Sequence, residues 1–207
     1  MSFQHQLQRN RFELKYLVDE QTARALRDYG RSYLIPDEHA DPAANYSYPI
    51  HSLYLDGPGY ALYYGTVHGH KNRFKLRIRY YDDNPAHPVF FEIKRRVNDV
   101  ILKKRAAVKR VSVMRLLAGH WPEANDLHRP DDSRSFEALR NFLDLRNRVQ
   151  AEGRVIVSYH REAWVTPHDD SVRMTFDREL VSTRYAGEIV CGDFEHAVRP
   201  ELAGVVL

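Results

Sequence analysis

Residues 71–83 read KNRFKLRIRYYDD, with Lys71, Arg73, Lys75, Arg77 and Arg79 on odd positions and Phe74, Leu76, Ile78 and Tyr80 on even ones. Side chains of a strand alternate between its two faces, so this segment is a strand with one cationic face and one apolar face. Two further segments alternate in the same way. On 88–96, Glu92, Lys94 and Arg96 share a face; on 100–110, Lys103, Arg105 and Lys109 do. Turns containing Asn-Pro and Asn-Asp separate the three segments, which predicts an antiparallel meander over 71–81, 88–96 and 100–110.

Charge is segregated in the same place. Residues 71–110 hold 13 of the 31 Lys and Arg but only four acids, Asp82, Asp83, Glu92 and Asp99, a net of +9. The remainder is about −6, so the overall +3 conceals a basic island suited to an anionic partner. A single alternating strand is ordinarily a solvated sheet face. Several cationic strands side by side are different, because like charges opposite one another destabilise a sheet. A closed or nearly closed barrel resolves the conflict. Its charged faces point inward to a polyanion, and Phe74, Leu76, Ile78, Phe91 and Ile93 point outward under helices. Arginine suits such a lining because its planar fork pairs with two phosphate oxygens at once.

Other elements fit around this core. A short alternating strand is predicted over 11–17, then a helix from Val18 with Asp19 as N-cap. YSYPIHSLYLD is a strand in which Pro49 suggests an edge or a bulge. Residues 61–70 form a short irregular or helical piece. VSVMRLLAG and SFEALRNFLDLRNRVQ are helical, the second with a core stripe of Phe136, Leu139, Phe142 and Leu143. Strands return at 154–165, with Arg161 near its far end, and at 171–180, where Arg173, Thr175 and Asp177 share a face; GVVL starts another. The fold class expected is α+β: an antiparallel β-barrel tunnel of about seven to eight strands with a cationic interior and a few α-helices packed outside.

Several classes are excluded or disfavoured. No run approaches the ~18 apolar residues that span a bilayer. The N-terminus has no apolar segment of the signal-peptide kind. One cysteine, Cys191, cannot form an internal disulfide, which suits a reducing, cytoplasmic setting. No Cys/His cluster has zinc spacing, and His68 and His70 read as loop histidines. No GxxxxGK[ST] loop is present.

The succession RFELKY, SLYLD, KLRIRYY, FEIKRR, ILKKRA, YHREAW and VRMTFDREL, over residues 9–180, resembles the VTC-type polyphosphate polymerase domain of the triphosphate tunnel metalloenzyme (CYTH-like) superfamily. The resemblance implies a Lys/Arg-lined tunnel that transfers the γ-phosphate of ATP to a growing inorganic polyphosphate chain with Mn²⁺ or Mg²⁺. Matched residue by residue, it implies phosphate contacts from Lys15, Arg77, Arg79, Lys94, Lys103, Arg105, Arg161 and Arg173. Lys104 leaves the alternative of a one-residue shift in the fifth and sixth of these. Lys75 joins the set by parity, and Arg77, Arg79 and Lys94 are the catalytic candidates. Glu13, Glu92 and Asp177 are the carboxylates available to a metal; ion pairing with neighbouring cations is the other reading of Glu13 and Glu92, and a structural turn role that of Asp177. The family's final strand carries a Glu-x-Lys element, with the glutamate as metal ligand. Here the sequence reaches AGVVL instead, so the expectation is a single domain over residues 1–207, either cut short before its last strand or lacking that closing element. No nucleic acid is expected, because the aromatics of 71–81 lie mostly opposite the cationic face, Tyr81 excepted. The resemblance also allows a membrane partner, although this chain carries no transmembrane segment by its sequence. Two readings stand beside the polymerase: a triphosphatase on the same fold, with water as acceptor, and a non-catalytic polyanion-binding module.

Overall fold

The computed structural model describes residues 13–98, 100–168, 171–191, 196–201 and 204–207. Nine strands and four helices are described: β1 (Leu17–Val18), α1 (Glu20–Gly30), β2 (Ile35–Pro36), β3 (Ser47–Asp56), α2 (Ala61–Val67), β4 (Asn72–Tyr80), β5 (Pro88–Val97), β6 (Val100–Lys109), α3 (Val113–Leu117), α4 (Ser133–Arg148), β7 (Glu152–Val165), β8 (Arg173–Arg184) and β9 (Val205–Val206). In hydrogen-bonded order the strands run β1-β9-β8-β7-β3-β4-β5-β6, with β2 on β7, an open path rather than a closed ring. No described helix is long and apolar enough to cross a membrane.

The chain divides into two compact units. The larger comprises Pro49–Tyr159 and Leu180–Arg199. Its centre is the predicted meander. β4 and β5 pair from Asn72↔Val97 to Arg79↔Phe90, and β5 and β6 from Pro88↔Lys109 to Val97↔Val100. The apolar parity of these strands is covered by helices. Leu76, Ile78, Phe91 and Ile93 are buried in one cluster with Val113 and Leu116 of α3 and with Leu139, Phe142 and Leu143 of α4. Phe74 and Phe136 pack at its margin. The Phe91 and Phe142 rings meet edge to face at 4.9 Å. Asp132 caps α4, accepting from the backbone N–H and the hydroxyl of Ser135 at 3.0 and 2.7 Å. β3 continues this sheet, with Leu53 opposite Ile78 and Leu55 opposite Leu76.

The smaller unit comprises Met1–Tyr48, His160–Glu179 and Pro200–Leu207. Its cluster joins Ala23, Leu34, Trp164, Phe176 and Val205. Asp19 is the N-cap of α1, accepting from Thr22 N–H at 2.6 Å. Gly30 closes α1 directly against Met174, where a Cβ would collide with the thioether methyl.

Two local expectations are corrected. The strand predicted over 11–17 is only Leu17–Val18; residues 13–16 are irregular, and residues 11 and 12 lie outside those described. The alternation there has no buried side to secure it, since Leu14 and Tyr16 are 71% and 54% exposed and the partner strand β9 is itself two residues long. β3 is not an edge strand, because it lies between β7 and β4. Pro49 is tolerated because it is near the start of β3, ahead of the β4 register that opens at His51↔Tyr80. GVVL does supply a strand: Val205 and Val206 of β9 pair with β1, and Val206 lies opposite Asp177 of β8.

Candidate functional site

In the larger unit the polar parity of β3 to β6 forms cross-strand rows. One row is Ser52–Arg79–Phe90–Ala107, the next Tyr54–Arg77–Glu92–Arg105, the next Lys75–Lys94–Lys103, and the last Arg73–Arg96–Ile101. Six residues expected to contact phosphate therefore share one face: Lys75, Arg77, Arg79, Lys94, Lys103 and Arg105. The ladder also decides the register that the sequence left open. Lys103 and Arg105 face the cationic side, whereas Lys104 lies opposite Ile93 and reaches Glu137 of α4 at 3.1 Å.

Glu92 organises the second row. Arg77 donates from Nε to Glu92 Oε2 at 2.5 Å, and Arg105 Nε lies 3.4 Å from Oε1. Burial opposes ionisation of Glu92, but Arg77, Arg79 and Arg105 outweigh it and hold the carboxyl below its ordinary range. Tyr54, to which the sequence analysis assigned no role, joins this group. Burial works against its ionisation too, yet Arg77, by charge and hydrogen bond, with Arg79 and Lys75, leaves the phenol more acidic than usual. Such a tyrosine marks a strongly positive field. Phe90 also lies on this face, beneath the Arg105 guanidinium at 3.5 Å, so a cation covers the ring that could have stacked a base.

The first row has unmet hydrogen-bonding capacity. Arg79 reaches Tyr159 Oη only at 3.5 Å, and its Nε is buried without a partner among the described residues. Ser52, 1% exposed and opposite Arg79, has a hydroxyl buried without a partner among the described residues. Buried polar atoms are nearly always satisfied, so two orphans side by side in a cationic row fit a ligand oxyanion.

Glu92 carries a pH prediction. Its folded-state pKa is lowered, so the stability it contributes is present above the unfolded carboxylate value of about 4.3 and is lost as pH falls through the folded value. The gap in melting temperature between wild type and Glu92→Gln is expected to be wide above about pH 5 and to narrow below about pH 4. Thermal melts across that range test this; a constant gap would show that Glu92 is not held by charge.

The smaller unit carries Arg161 and Arg173. Arg161 grips Asp177 with two hydrogen bonds of 2.7 Å. Arg173 donates to Asp37 at 2.6 Å, and Tyr48 donates to the same carboxylate oxygen at 2.8 Å. Burial, then the Asp37 charge, pushes the Tyr48 phenol up. Asp37 stands in IPDEHADPAAN, rich in proline and acids, and its burial distinguishes it there. In β7, buried Glu162 accepts from Trp164 Nε1 and from Arg178 of β8, each at 2.8 Å. Lys15 is exposed, with Glu13 at 3.6 Å.

Among the described residues, no group of three or more His, Cys, Asp or Glu could hold a metal ion. Each carboxylate expected to serve one is instead beside a cation: Glu13 by Lys15, Glu92 by Arg77 and Arg105, and Asp177 by Arg161.

The family model described as VTC domain matches residues 10–202. No curated protein matches the chain. Among solved structures, it is similar to a candidate adenylate cyclase from Bacillus halodurans, with 16% identity and a TM-score of 0.50 over 87% of this chain and 76% of that one. It is also similar to a candidate adenylyl cyclase from Hippeastrum described as having a dominant triphosphatase activity, with 11% identity and a TM-score of 0.40 over 84% and 71% of the two chains. A candidate adenylate cyclase from Vibrio parahaemolyticus is 13% identical, with a TM-score of 0.39 over 81% and 69%. The Bacillus likeness carries the fold alone: antiparallel strands of the tunnel type with helices outside.

Proposed function

The chain belongs to the VTC domain family, on the CYTH-like triphosphate tunnel fold, and from that premise we propose that it is a polyphosphate polymerase. The observation that carries this reading is the pair of orphaned donors, Arg79 Nε and Ser52 Oγ, at the head of rows rich in Arg and Lys. A phosphate oxygen is the acceptor that would satisfy both.

In the proposed reaction, a terminal oxygen of the polyphosphate chain attacks the γ-phosphorus of ATP. The bond from that phosphorus to the β,γ-bridging oxygen breaks, ADP leaves, and the chain is one phosphate longer. Such transfer needs chiefly positioning and charge neutralisation. Arg77, Arg79 and Lys94 are assigned to the transferring phosphoryl group. Lys75, Lys103 and Arg105 are assigned to the chain, and Lys15, Arg161 and Arg173 to phosphate contacts in the smaller unit. Glu92 holds Arg77 in place, and the phenol of Tyr54 adds a hydrogen-bonding group beside it.

The described carboxylates do not fit a resident metal ion. Manganese or magnesium would enter as companion of the triphosphate, with Glu13, Glu92 or Asp177 adding a ligand only by giving up a contact to Lys or Arg. A cytoplasmic setting belongs to the same proposal, resting on the lone Cys191.

The test is an assay with ATP, a polyphosphate primer and either Mn²⁺ or Mg²⁺, following chain growth and free phosphate together. Growth is expected for wild type and a loss of about 100-fold for Lys94→Ala. Phosphate release without growth would replace the polymerase by a triphosphatase. Binding with neither product would leave a polyanion-binding module.

A further inference from the structure

The smaller unit contains a buried carboxylate that the proposed reaction does not use. Asp37 follows β2, and its own N–H donates to Ala163 O of β7 at 3.0 Å, which fixes its backbone. Its carboxylate is fixed as well. His39 N–H donates to Oδ1 at 3.1 Å, and the Tyr48 hydroxyl donates to Oδ2 at 2.8 Å. Burial, then the Asp37 charge, keeps the Tyr48 phenol protonated, so this donor is constant. Neither contact depends on β8.

Arg173 meets this prepared anion. It is the first residue of β8, where strand pairing places the backbone but leaves a long side chain many rotamers. Nη2 donates to Asp37 Oδ2 at 2.6 Å and lies 3.5 Å from Tyr48 Oη. Nε and Nη1 have no partner among the described residues, so three of the five guanidinium donors remain for a ligand. Exposure divides the pair in the same sense. The Asp37 side chain is 5% exposed and that of Arg173 37%, so a ligand arriving from solvent reaches the guanidinium and not the carboxylate. Arg161 is held differently, since Asp177 takes both its Nε and its Nη2.

We propose that Asp37, itself fixed by Tyr48 and His39, is a positioning residue: it holds the Arg173 guanidinium in the orientation that offers Nε and Nη1 to phosphate oxygens, and touches no phosphate itself. The role rests on the assignment of Arg173 to phosphate in the proposed function. It carries a distinctive sign. A carboxylate beside a polyanion site ordinarily weakens binding, because like charges repel. A carboxylate that positions a cation does the reverse, because it spares the ligand the entropy of ordering that side chain. Removal of the Asp37 charge therefore loosens phosphate binding even though the site becomes more positive.

Calorimetric titration of wild type, Asp37→Asn, Arg173→Gln and the double variant with long-chain polyphosphate tests this, at a temperature where thermal melts show all four folded. Asp37→Asn is expected to bind about five- to tenfold more weakly than wild type, yet to make no further difference in the Arg173→Gln background. A fall of equal size in both backgrounds would overturn positioning in favour of a purely structural role. Unchanged or tighter binding by Asp37→Asn would also overturn it, leaving Asp37 no effect beyond its charge. If Asp37→Asn does not fold, Tyr48→Phe takes its place in the cycle, with a smaller loss confined in the same way to the protein that retains Arg173 and with the same overturning results. If wild type binds and Arg173→Gln binds equally well, the phosphate assignment of Arg173 fails and the positioning role with it. If wild type does not bind, the polyphosphate reading itself fails.

Discussion

Arg79→Ala is expected to weaken polyphosphate and triphosphate binding by about 10- to 100-fold while leaving the ligand-free protein at least as stable as wild type. The two effects have opposite signs for one reason. Without ligand, Arg79 holds a buried Nε with no hydrogen-bond partner among the described residues, and its hydrogen bond to Tyr159 is 3.5 Å long. Its removal takes away a desolvated charge from a row next to Arg77. With ligand, the same guanidinium supplies charge-assisted hydrogen bonds, each contributing roughly 1.5–3 kcal/mol. Thermal melting without ligand and calorimetry with it read the two terms separately. A variant that melts lower and binds as before would make Arg79 a structural residue and remove the main support for the proposed function. Arg77→Ala is a poorer probe, because it also strips Glu92 of its closest partner and so mixes a stability loss into the binding loss.

Phe142→Ala should be among the most damaging single changes to stability. Phe142 is fully buried in α4 and meets Phe91 of β5 edge to face. Truncating a phenylalanine in such a place costs about 3–5 kcal/mol, from lost burial and the cavity left behind. For a chain of this size the melting temperature should fall by on the order of 10 °C, measurable by circular dichroism. Phosphate affinity at a temperature where the variant is folded should change far less than for Arg79→Ala. The next residue of β5, Glu92, belongs to the other face and is positioned by Arg77 and Arg105 rather than by the helix. A fall of less than about 1 kcal/mol would mean that α4 is not the lid of this core.

Much of this was legible in the residues themselves. The alternation of 71–81 specified both faces of β4, because a period of two leaves each side chain only one choice of side. The apolar choice was then forced under a helix, and the stripe of Phe136, Leu139, Phe142 and Leu143 announced which one. The register of β6 was not legible, since KKR puts a cation on either phase. It took the ladder, in which Lys103 meets Lys94 and Lys104 meets Ile93, to separate a residue of the cationic face from one paired with α4. The later strands were harder still. In β8 the buried parity is even at Phe176 and odd at Val181, and Glu179 between them has φ of 54°. That one left-handed residue resets the alternation, and a sequence pattern carries no sign of it.

The sequence by itself determined that a cationic sheet face exists, which strands carry it, and which family the order of those strands resembles. All of these follow from local periodicity and composition. Only the tertiary structure decided which charges are already answered within the protein and which are not. Glu92 and Asp177 look alike to a sequence reader searching for metal ligands, but each is held by arginine. Ser52 and Tyr54 look like filler in an apolar strand, but one has an orphaned hydroxyl and the other an acidified phenol. Whether a polar group is satisfied depends on atoms brought together from distant positions in the chain, so its vacancy for a ligand is a property of the fold and not of any segment.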